Sequence, residues 1–279
     1  MVDATPAIWV DGDPATALPL PDRGLDFGDG LFETVLLRCG EPVLLDYHMD
    51  RLQTGLDALS FPDCLRRAKA QLLKASSASS ALDRAVLRLS ITRGSGPRGY
   101  ASPENVTART VITVTPLPQH TDDQALAISV DWCQMSWSLQ PLLAGIKHLN
   151  RLEQVLAANE ARTLGVDDVV MRDASGLVCS LSSANLFLRQ GERLLTPRLH
   201  CAGIAGTRRR LIIDRLAPAL GLPVDVVDIR PEQLEQADEL FCCNAIRGLQ
   251  PISRLGRQHW QEHPACSALH DQYQQAIAP

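Results

Sequence analysis

Short strand-like segments alternate irregularly with amphipathic helical segments along this chain, and that mixture limits the folds available to it. In the first part, segments 7–12, 85–94 and 107–117 favour strands, whereas 46–59 and 64–77 carry apolar residues at helical spacing. A regular strand–helix–strand repeat, which would predict a doubly wound parallel sheet, is not found. The sequence therefore predicts an α+β fold.

The chain also divides into two parts by composition. Prolines and then a polar stretch at 119–124 predict a linker, so we expect one domain over 1–118 and another over 125–279. In the second part, strong helical patterns cover 148–165 and 207–221, and Gly165 predicts the end of the first of these helices. Both domains are predicted to be α+β.

Composition excludes several classes of protein. The 279 residues carry a net charge of −5 without a basic block, so nucleic-acid binding is not expected. No apolar run reaches the ~20 residues of a membrane span, and the N-terminal segment lacks the pattern of a secretory signal. The eight cysteines show no metal-ligand spacing, which predicts reduced thiols in a cytoplasmic protein without a metal site.

Lysine is rare in this chain. The 27 basic residues include only Lys69, Lys74 and Lys147, and the first two lie on the polar face of a predicted helix. Lys147 directly precedes the helix predicted from 148, where the helix dipole disfavours an ammonium by up to ~1 kcal/mol. Apolar neighbours and nearby Arg151 also favour a neutral amine, which is the form of lysine that acts as a nucleophile. The alternative is a lysine that extends from a helix end into solvent, and side-chain chemistry alone leaves both possibilities open.

Seven motifs occur in a characteristic order over some 220 residues. They are FGDGLFET (27–34), HMDRL (48–52), TRGSGPRGY (92–100), AGIKHLNRLEQ (144–154), SANLF (183–187), TPRLHCAGIAGTRRR (196–210) and ADELFCCNA (237–245). Together they resemble the aminodeoxychorismate lyases, pyridoxal-phosphate (PLP) enzymes of fold type IV, a group that also contains branched-chain and D-amino-acid aminotransferases. The resemblance implies a two-domain homodimeric enzyme with the PLP site between the two domains.

The resemblance also implies roles for individual residues around the cofactor. Lys147 would bind PLP covalently and transfer the proton. Arg51 would pair with the cofactor phosphate, for which a guanidinium fork is well suited. Arg151 would lie near the phenolic oxygen.

A glycine turn at a predicted helix start completes the implied phosphate site. Backbone N–H groups of Gly206, Thr207 and Arg208 would surround the phosphate, since helix N-termini bind anions. Asn244, at the end of a predicted strand, matches a position that supplies a further phosphate contact.

Substrate contacts are implied at two other places. Arg98 and Tyr100, in a loop rich in glycine and proline, match residues that receive a substrate carboxylate. Thr34 matches a threonine that faces the substrate and assists proton transfer. From the residues alone, the loop would be a surface hairpin and Thr34 an ordinary strand residue.

Ser180 departs from the family pattern, which has a glutamate here to hold a proton on the PLP ring nitrogen. A serine would leave that nitrogen largely neutral. Three explanations are open: a lyase reaction that needs less electron withdrawal because its product is aromatic, an acid from elsewhere, or altered activity. We favour the first.

The implied reaction converts 4-amino-4-deoxychorismate to 4-aminobenzoate and pyruvate, a step of folate biosynthesis. One alternative is a class IV aminotransferase acting on D- or branched-chain amino acids, for which the loss of the glutamate should be more harmful. A second alternative, of another class, is a PLP-binding paralogue with little catalysis.

Overall fold

The computed structural model describes residues 6–118 and 126–277. Two compact units are present: the first contains residues 6–118 with Ile146–Asn150, and the second contains residues 126–145 and 151–277. The predicted linker, 119–124, lies outside the described residues. The second unit is not continuous in sequence, because segment 146–150 is grouped with the first unit. No helix of the described residues is long and apolar enough to cross a membrane.

Strands of the first unit form one antiparallel sheet. Among the described residues its order is β2-β1-β6-β5-β3-β4. The strands are β1 (Ala7–Val10), β2 (Asp13–Pro14), β3 (Gly30–Arg38), β4 (Glu41–Pro42), β5 (Arg84–Thr92) and β6 (Arg109–Pro116). β3 and β5 pair over nine residues, from Gly30 opposite Thr92 to Arg38 opposite Arg84. The predicted strands at 7–12, 85–94 and 107–117 are confirmed.

Helices of the first unit are α1 (Arg23–Phe27), α2 (Leu45–Ala58) and α3 (Leu65–Ser77). α2 and α3 match the helical patterns at 46–59 and 64–77. Their apolar residues, such as Leu52, Leu56 and Leu72, are buried. One face of β3 is therefore covered, because Leu31, Val35 and their alternate neighbours along the strand are also buried.

Strands of the second unit form a larger mixed sheet. In the part of the chain that the structure describes, its order is β12-β11-β10-β13-β14-β7-β8-β9, with β15 paired to β14. The strands are β7 (Ile128–Trp137), β8 (Asp168–Asp173), β9 (Val178–Leu181), β10 (Asn185–Gln190), β11 (Arg193–Pro197), β12 (Val224–Val227), β13 (Glu239–Asn244), β14 (Gly248–Leu255) and β15 (Gln258–His259). β7 is parallel to its neighbours β14 and β8. β13 is antiparallel to its neighbours β10 and β14.

Helices of the second unit are α4 (Leu152–Leu164), α5 (Thr207–Leu211), α6 (Ala217–Ala219), α7 (Pro231–Glu235) and α8 (Pro264–Ala276). A π-helical turn, Ile212–Leu216, joins α5 to α6 within the helix predicted over 207–221. α4 ends at Gly165 in the left-handed conformation, as predicted. Its start differs from the prediction, since it begins at Leu152 instead of 148.

All eight cysteines are free. Cys242 and Cys243 are buried in β13, where desolvation raises the pKa of the Cys243 thiol to about 12. Such thiols remain protonated and behave as small apolar side chains. No group of three or more His, Cys, Asp or Glu residues within the described ranges could hold a metal ion.

Candidate active site

Lys147 lies in an irregular segment that runs along the edge of β3. The Phe32 amide donates a hydrogen bond to the Lys147 carbonyl at 2.9 Å, and the Leu149 amide donates to the Gly30 carbonyl at 3.0 Å. These two bonds fix the backbone on both sides of His148, which forms an isolated bridge with Leu31. The sheet of the first unit therefore determines the position of the lysine.

The helix-dipole argument for Lys147 is wrong. α4 begins at Leu152, and the dipole effect is confined to about the first turn. Residues 148–150 continue a helical sequence pattern, but their backbone groups are used by β3 instead. The amine contacts an aromatic ring: Lys147 Nζ lies 4.2 Å from the centroid of the Phe32 ring.

Thr34 lies on the same face of β3 as Phe32, because residues two apart in a strand share a face. In register with Thr34 on β5 is Arg88, whose guanidinium carbon lies 3.9 Å from the Phe32 ring centroid. The structure thus brings Lys147 and Arg88 together at the Phe32 ring, on the face of β3 that also bears Thr34. Arg88 was not among the residues that the sequence motifs indicated.

Glu33 points to the opposite face of β3 and is completely buried. It accepts two hydrogen bonds from Arg51, Nε at 2.8 Å and Nη2 at 2.5 Å, and lies 2.6 Å from Nδ1 of His48. Burial alone would raise the pKa of Glu33, but the charges and hydrogen bonds of Arg51 and His48 outweigh it and lower the pKa to about 2. The predicted phosphate ligand Arg51 is thus held in one orientation by a buried carboxylate.

Arg98 and Tyr100 lie on the exposed loop after β5, and Tyr100 is 87% exposed. Arg23 holds this loop by donating to the carbonyls of Gly99 at 2.9 Å and Tyr100 at 2.8 Å. The Tyr100 ring packs edge-on against Phe27, with 5.4 Å between centroids. An open groove of about 720 Å³ follows the loop, lined by residues that include Arg23, Phe27, Arg98 and Tyr100.

In the second unit, Gly206 is the N-cap of α5. A Cβ at this position would lie 1.9 Å from Oδ1 of Asn185, so only glycine allows the observed approach. The Asn185 side chain is held in turn by a hydrogen bond to the Ile204 carbonyl at 2.9 Å. Thr207 and Arg208 follow and are buried; Arg208 Nη2 donates to the Ala245 carbonyl at 2.8 Å.

Asn244 uses its side chain to form a turn. Its Oδ1 accepts from the amides of Ile246 at 3.1 Å and Arg247 at 2.8 Å, and its Nδ2 donates to the Ser183 carbonyl at 3.4 Å. Because the Arg208 guanidinium binds the adjacent Ala245 carbonyl, this turn is tied to the start of α5.

Ser180 is buried in β9, and its hydroxyl donates to the Leu181 carbonyl at 2.7 Å. Asp168 is a buried acid that binds the turn after β9: its carboxylate accepts from the Ser182 amide at 3.0 Å and the Ser183 hydroxyl at 2.8 Å. Arg151 is the N-cap of α4, 5.9 Å from the Trp137 ring, and burial lowers its pKa to about 10.

The sequence profile of the class IV aminotransferase family matches residues 30–255, and the chain belongs to that family. An aminodeoxychorismate lyase of Vibrio harveyi is 36% identical over 252 residues, which cover 88% of this chain and 90% of that protein. The crystal structure of a 4-amino-4-deoxychorismate lyase from Pseudomonas aeruginosa has a TM-score of 0.89 at 36% identity, covering 96% and 98% of the two chains. A D-alanine aminotransferase of Bacillus licheniformis is 26% identical over 249 residues, 87% of this chain and 84% of that one.

Enzymes of this family use pyridoxal phosphate, and the predicted α+β fold of type IV is confirmed. The residues of this chain fit the cofactor in two respects. Lys147 has a side-chain amine, and the sheet of the first unit fixes its backbone. At Gly206, a glycine turn that packs closely against Asn185 leads into a helix start, and helix N-termini bind phosphate.

Proposed function

We propose that this protein converts 4-amino-4-deoxychorismate to 4-aminobenzoate and pyruvate with pyridoxal phosphate, a step of folate biosynthesis. The observation that carries the proposal is the arrangement of Lys147 beside Phe32, on the face of β3 that also bears Thr34. The 36% identity to proteins named as aminodeoxychorismate lyases supports the choice of reaction within the family.

In this proposal, Lys147 holds the cofactor and moves a proton. When bound, pyridoxal phosphate supplies a carbonyl for the substrate amine and a conjugated ring that accepts an electron pair. The Lys147 amine removes the hydrogen from the amine-bearing ring carbon of the substrate. The enolpyruvyl ether on the adjacent carbon departs, the substrate ring becomes aromatic, and Thr34 or Lys147 returns the proton to the departing fragment.

The phosphate would be held by an arginine side chain and by backbone N–H groups. Arg51 would contribute a guanidinium that Glu33 already orients, which reduces the entropy lost on binding. The backbone N–H groups of Gly206, Thr207 and Arg208 would surround the phosphate at the start of α5. Asn244 would organise the turn beside these N–H groups. Arg151 would lie near the phenolic oxygen of the cofactor.

Arg98 and Tyr100 would receive one substrate carboxylate. Both border the open groove, and the hydrogen bonds from Arg23 fix the loop backbone that carries them. We also propose a homodimer, because α4 and the preceding loop expose an apolar surface. Leu142, Leu152, Val155 and Leu156 are each more than half exposed.

Ser180 bears on the choice between lyase and aminotransferase. Replacing it by glutamate is expected to raise the rate of half-transamination of D-alanine by on the order of tenfold, because a carboxylate there favours a protonated cofactor ring. The visible spectrum of the Ser180→Glu holoenzyme should also differ from that of the unmodified holoenzyme, because the cofactor ring is protonated. Ser180→Ala, which removes the hydroxyl without adding charge, is the control; an equal gain in both variants would contradict the explanation.

The proposed reaction is tested with the purified holoenzyme. We expect pyruvate and 4-aminobenzoate in equal amounts from 4-amino-4-deoxychorismate, and borohydride should fix the cofactor onto Lys147. Rapid conversion of D-alanine or branched-chain amino acids, without pyruvate release from the chorismate derivative, would assign the protein to the aminotransferases instead. Bound cofactor with no turnover of any amine would indicate a paralogue with little catalysis.

A further inference from the structure

Arg88 is the second cation at the Phe32 ring. Its guanidinium carbon lies 3.9 Å from the ring centroid, and Lys147 Nζ lies 4.2 Å from the same centroid. Thr34 is its direct neighbour on the adjacent strand. Arg88 therefore belongs to the same face of the sheet as the two residues to which the proposed function assigns proton transfer.

Arg88 differs from two other arginines of the first unit in its contacts. Within the described residues, Arg88 forms no hydrogen bond or ion pair, whereas Arg51 binds Glu33 and Arg93 binds Asp29. Although the residue as a whole is exposed, partial burial of its head group lowers the guanidinium pKa, with no carboxylate to oppose the effect. A partly desolvated guanidinium with five donors and no acceptor favours an anionic ligand.

The proposed substrate carries two carboxylates, and Arg98 accounts for only one. We propose that Arg88 binds the carboxylate of the enolpyruvyl group, the fragment that departs as pyruvate. This inference rests on the proposed function. The cross-strand pairing of Arg88 with Thr34 supports this choice of carboxylate, because the proton that Thr34 would donate goes to the same fragment. A guanidinium can bind a carboxylate through two parallel hydrogen bonds and so orient the leaving group.

The same contact would make the site specific for a dicarboxylic substrate. An amino acid with a single carboxylate would leave Arg88 or Arg98 without its anion and would so lose one charged hydrogen-bonded contact. Arg88 would thus be a residue that distinguishes the lyase substrate from simple amino acids.

Three variants of the holoenzyme test the inference. Arg88→Gln is expected to raise KM for 4-amino-4-deoxychorismate by roughly 10- to 100-fold, the loss typical of a charged hydrogen-bonded contact. Arg88→Lys should recover part of this loss, since the charge remains. Arg84→Gln is the matched control: it changes an arginine on the same face of β5, two pleat repeats or four residues from Arg88, and should leave KM unchanged.

Product binding identifies the carboxylate. Arg88→Gln should raise the inhibition constant for pyruvate by a similar factor and leave that for 4-aminobenzoate unchanged. Weakened 4-aminobenzoate binding with normal pyruvate binding would overturn the assignment to the departing fragment. An unchanged KM, or a change accounted for entirely by a lower unfolding temperature, would overturn the role of Arg88 in binding.

Failure of the proposed function gives a different result. If the unmodified enzyme does not turn over 4-amino-4-deoxychorismate, that function is wrong, and calorimetry of pyruvate and 4-aminobenzoate binding still reports on Arg88. Loss of pyruvate affinity in Arg88→Gln but not in Arg84→Gln would support the carboxylate site. Equal pyruvate binding by all the proteins, or none by the unmodified enzyme, would overturn it.

Discussion

Lys147→Arg is expected to lower kcat for pyruvate release at least ~10⁴-fold, the upper range of what one positioned acid–base group contributes. Arginine keeps the positive charge and can remain stacked on the Phe32 ring, but it does not deprotonate in proteins. The variant therefore separates the chemistry of a neutral amine from the presence of a cation. Single-turnover assays of the purified variant measure the loss directly.

Lys69→Arg provides the control for this substitution. Lys69 lies on the exposed face of α3 and contacts Asp46 at 3.4 Å, an interaction that arginine can maintain. Its kcat should equal that of the unmodified enzyme. If Lys147→Arg retained normal turnover, or if borohydride still fixed the cofactor to that variant, the assignment of Lys147 would be wrong.

Local sequence patterns were sufficient for most elements of the fold. Alternating apolar residues predict β5 and β6, helical spacing predicts α2 and α3, and Gly165 predicts the end of α4. These features depend on the chain's own periodicity and on backbone preferences of single residues. Lys147 was also identifiable from its rarity and its motif.

The start of α4 could not be predicted from local pattern. Residues 148–150 have side chains compatible with a helix, but the amide of Leu149 and the carbonyl of Lys147 bond to β3, more than a hundred residues earlier in the chain. A tertiary hydrogen-bond partner thus overrides helix propensity, which is a weak preference. The helix dipole does not act on Lys147 for the same reason, since that effect requires a helix that starts at 148.

Glu33 and Arg88 show different limits of the sequence. Glu33 shares the buried face of β3 with Leu31, Val35 and Leu37. Its burial could therefore have been inferred from the two-residue repeat of a strand. Its partners could not, since Arg51 and His48 come from α2. The role of Arg88 depends on the register of β3 with β5, which is a property of the folded sheet.

Glu33→Gln is expected to destabilise the protein by about 3–5 kcal/mol at neutral pH, the usual result of removing one partner from a buried ion pair. The carboxylate is fully buried and satisfies Arg51 and His48 together. A glutamine keeps the shape but removes the charge and directs an N–H₂ group towards one of these donors. Urea unfolding followed by circular dichroism measures the free energy of unfolding of both proteins.

The pH dependence distinguishes lost charge from altered packing. The Glu33 pKa is lowered from 4.5 to about 2 in the folded state. Ionisation of Glu33 therefore gives its full stabilisation at pH values above the pKa of the unfolded state. That stability, about 3 kcal/mol, is lost as the pH falls from about 4.5 towards 2. The difference between the unmodified protein and Glu33→Gln should therefore decrease as the pH falls from about 4.5 towards 2.

Glu41→Gln is the matched control, because Glu41 is an exposed glutamate at the start of β4. It should change the free energy of unfolding by no more than about 0.5 kcal/mol. Because Glu33 also orients Arg51, the Glu33→Gln enzyme should in addition lose pyridoxal phosphate more readily on dialysis. A stability difference independent of pH between 5 and 2 would show that packing, and not the buried carboxylate, accounts for the effect.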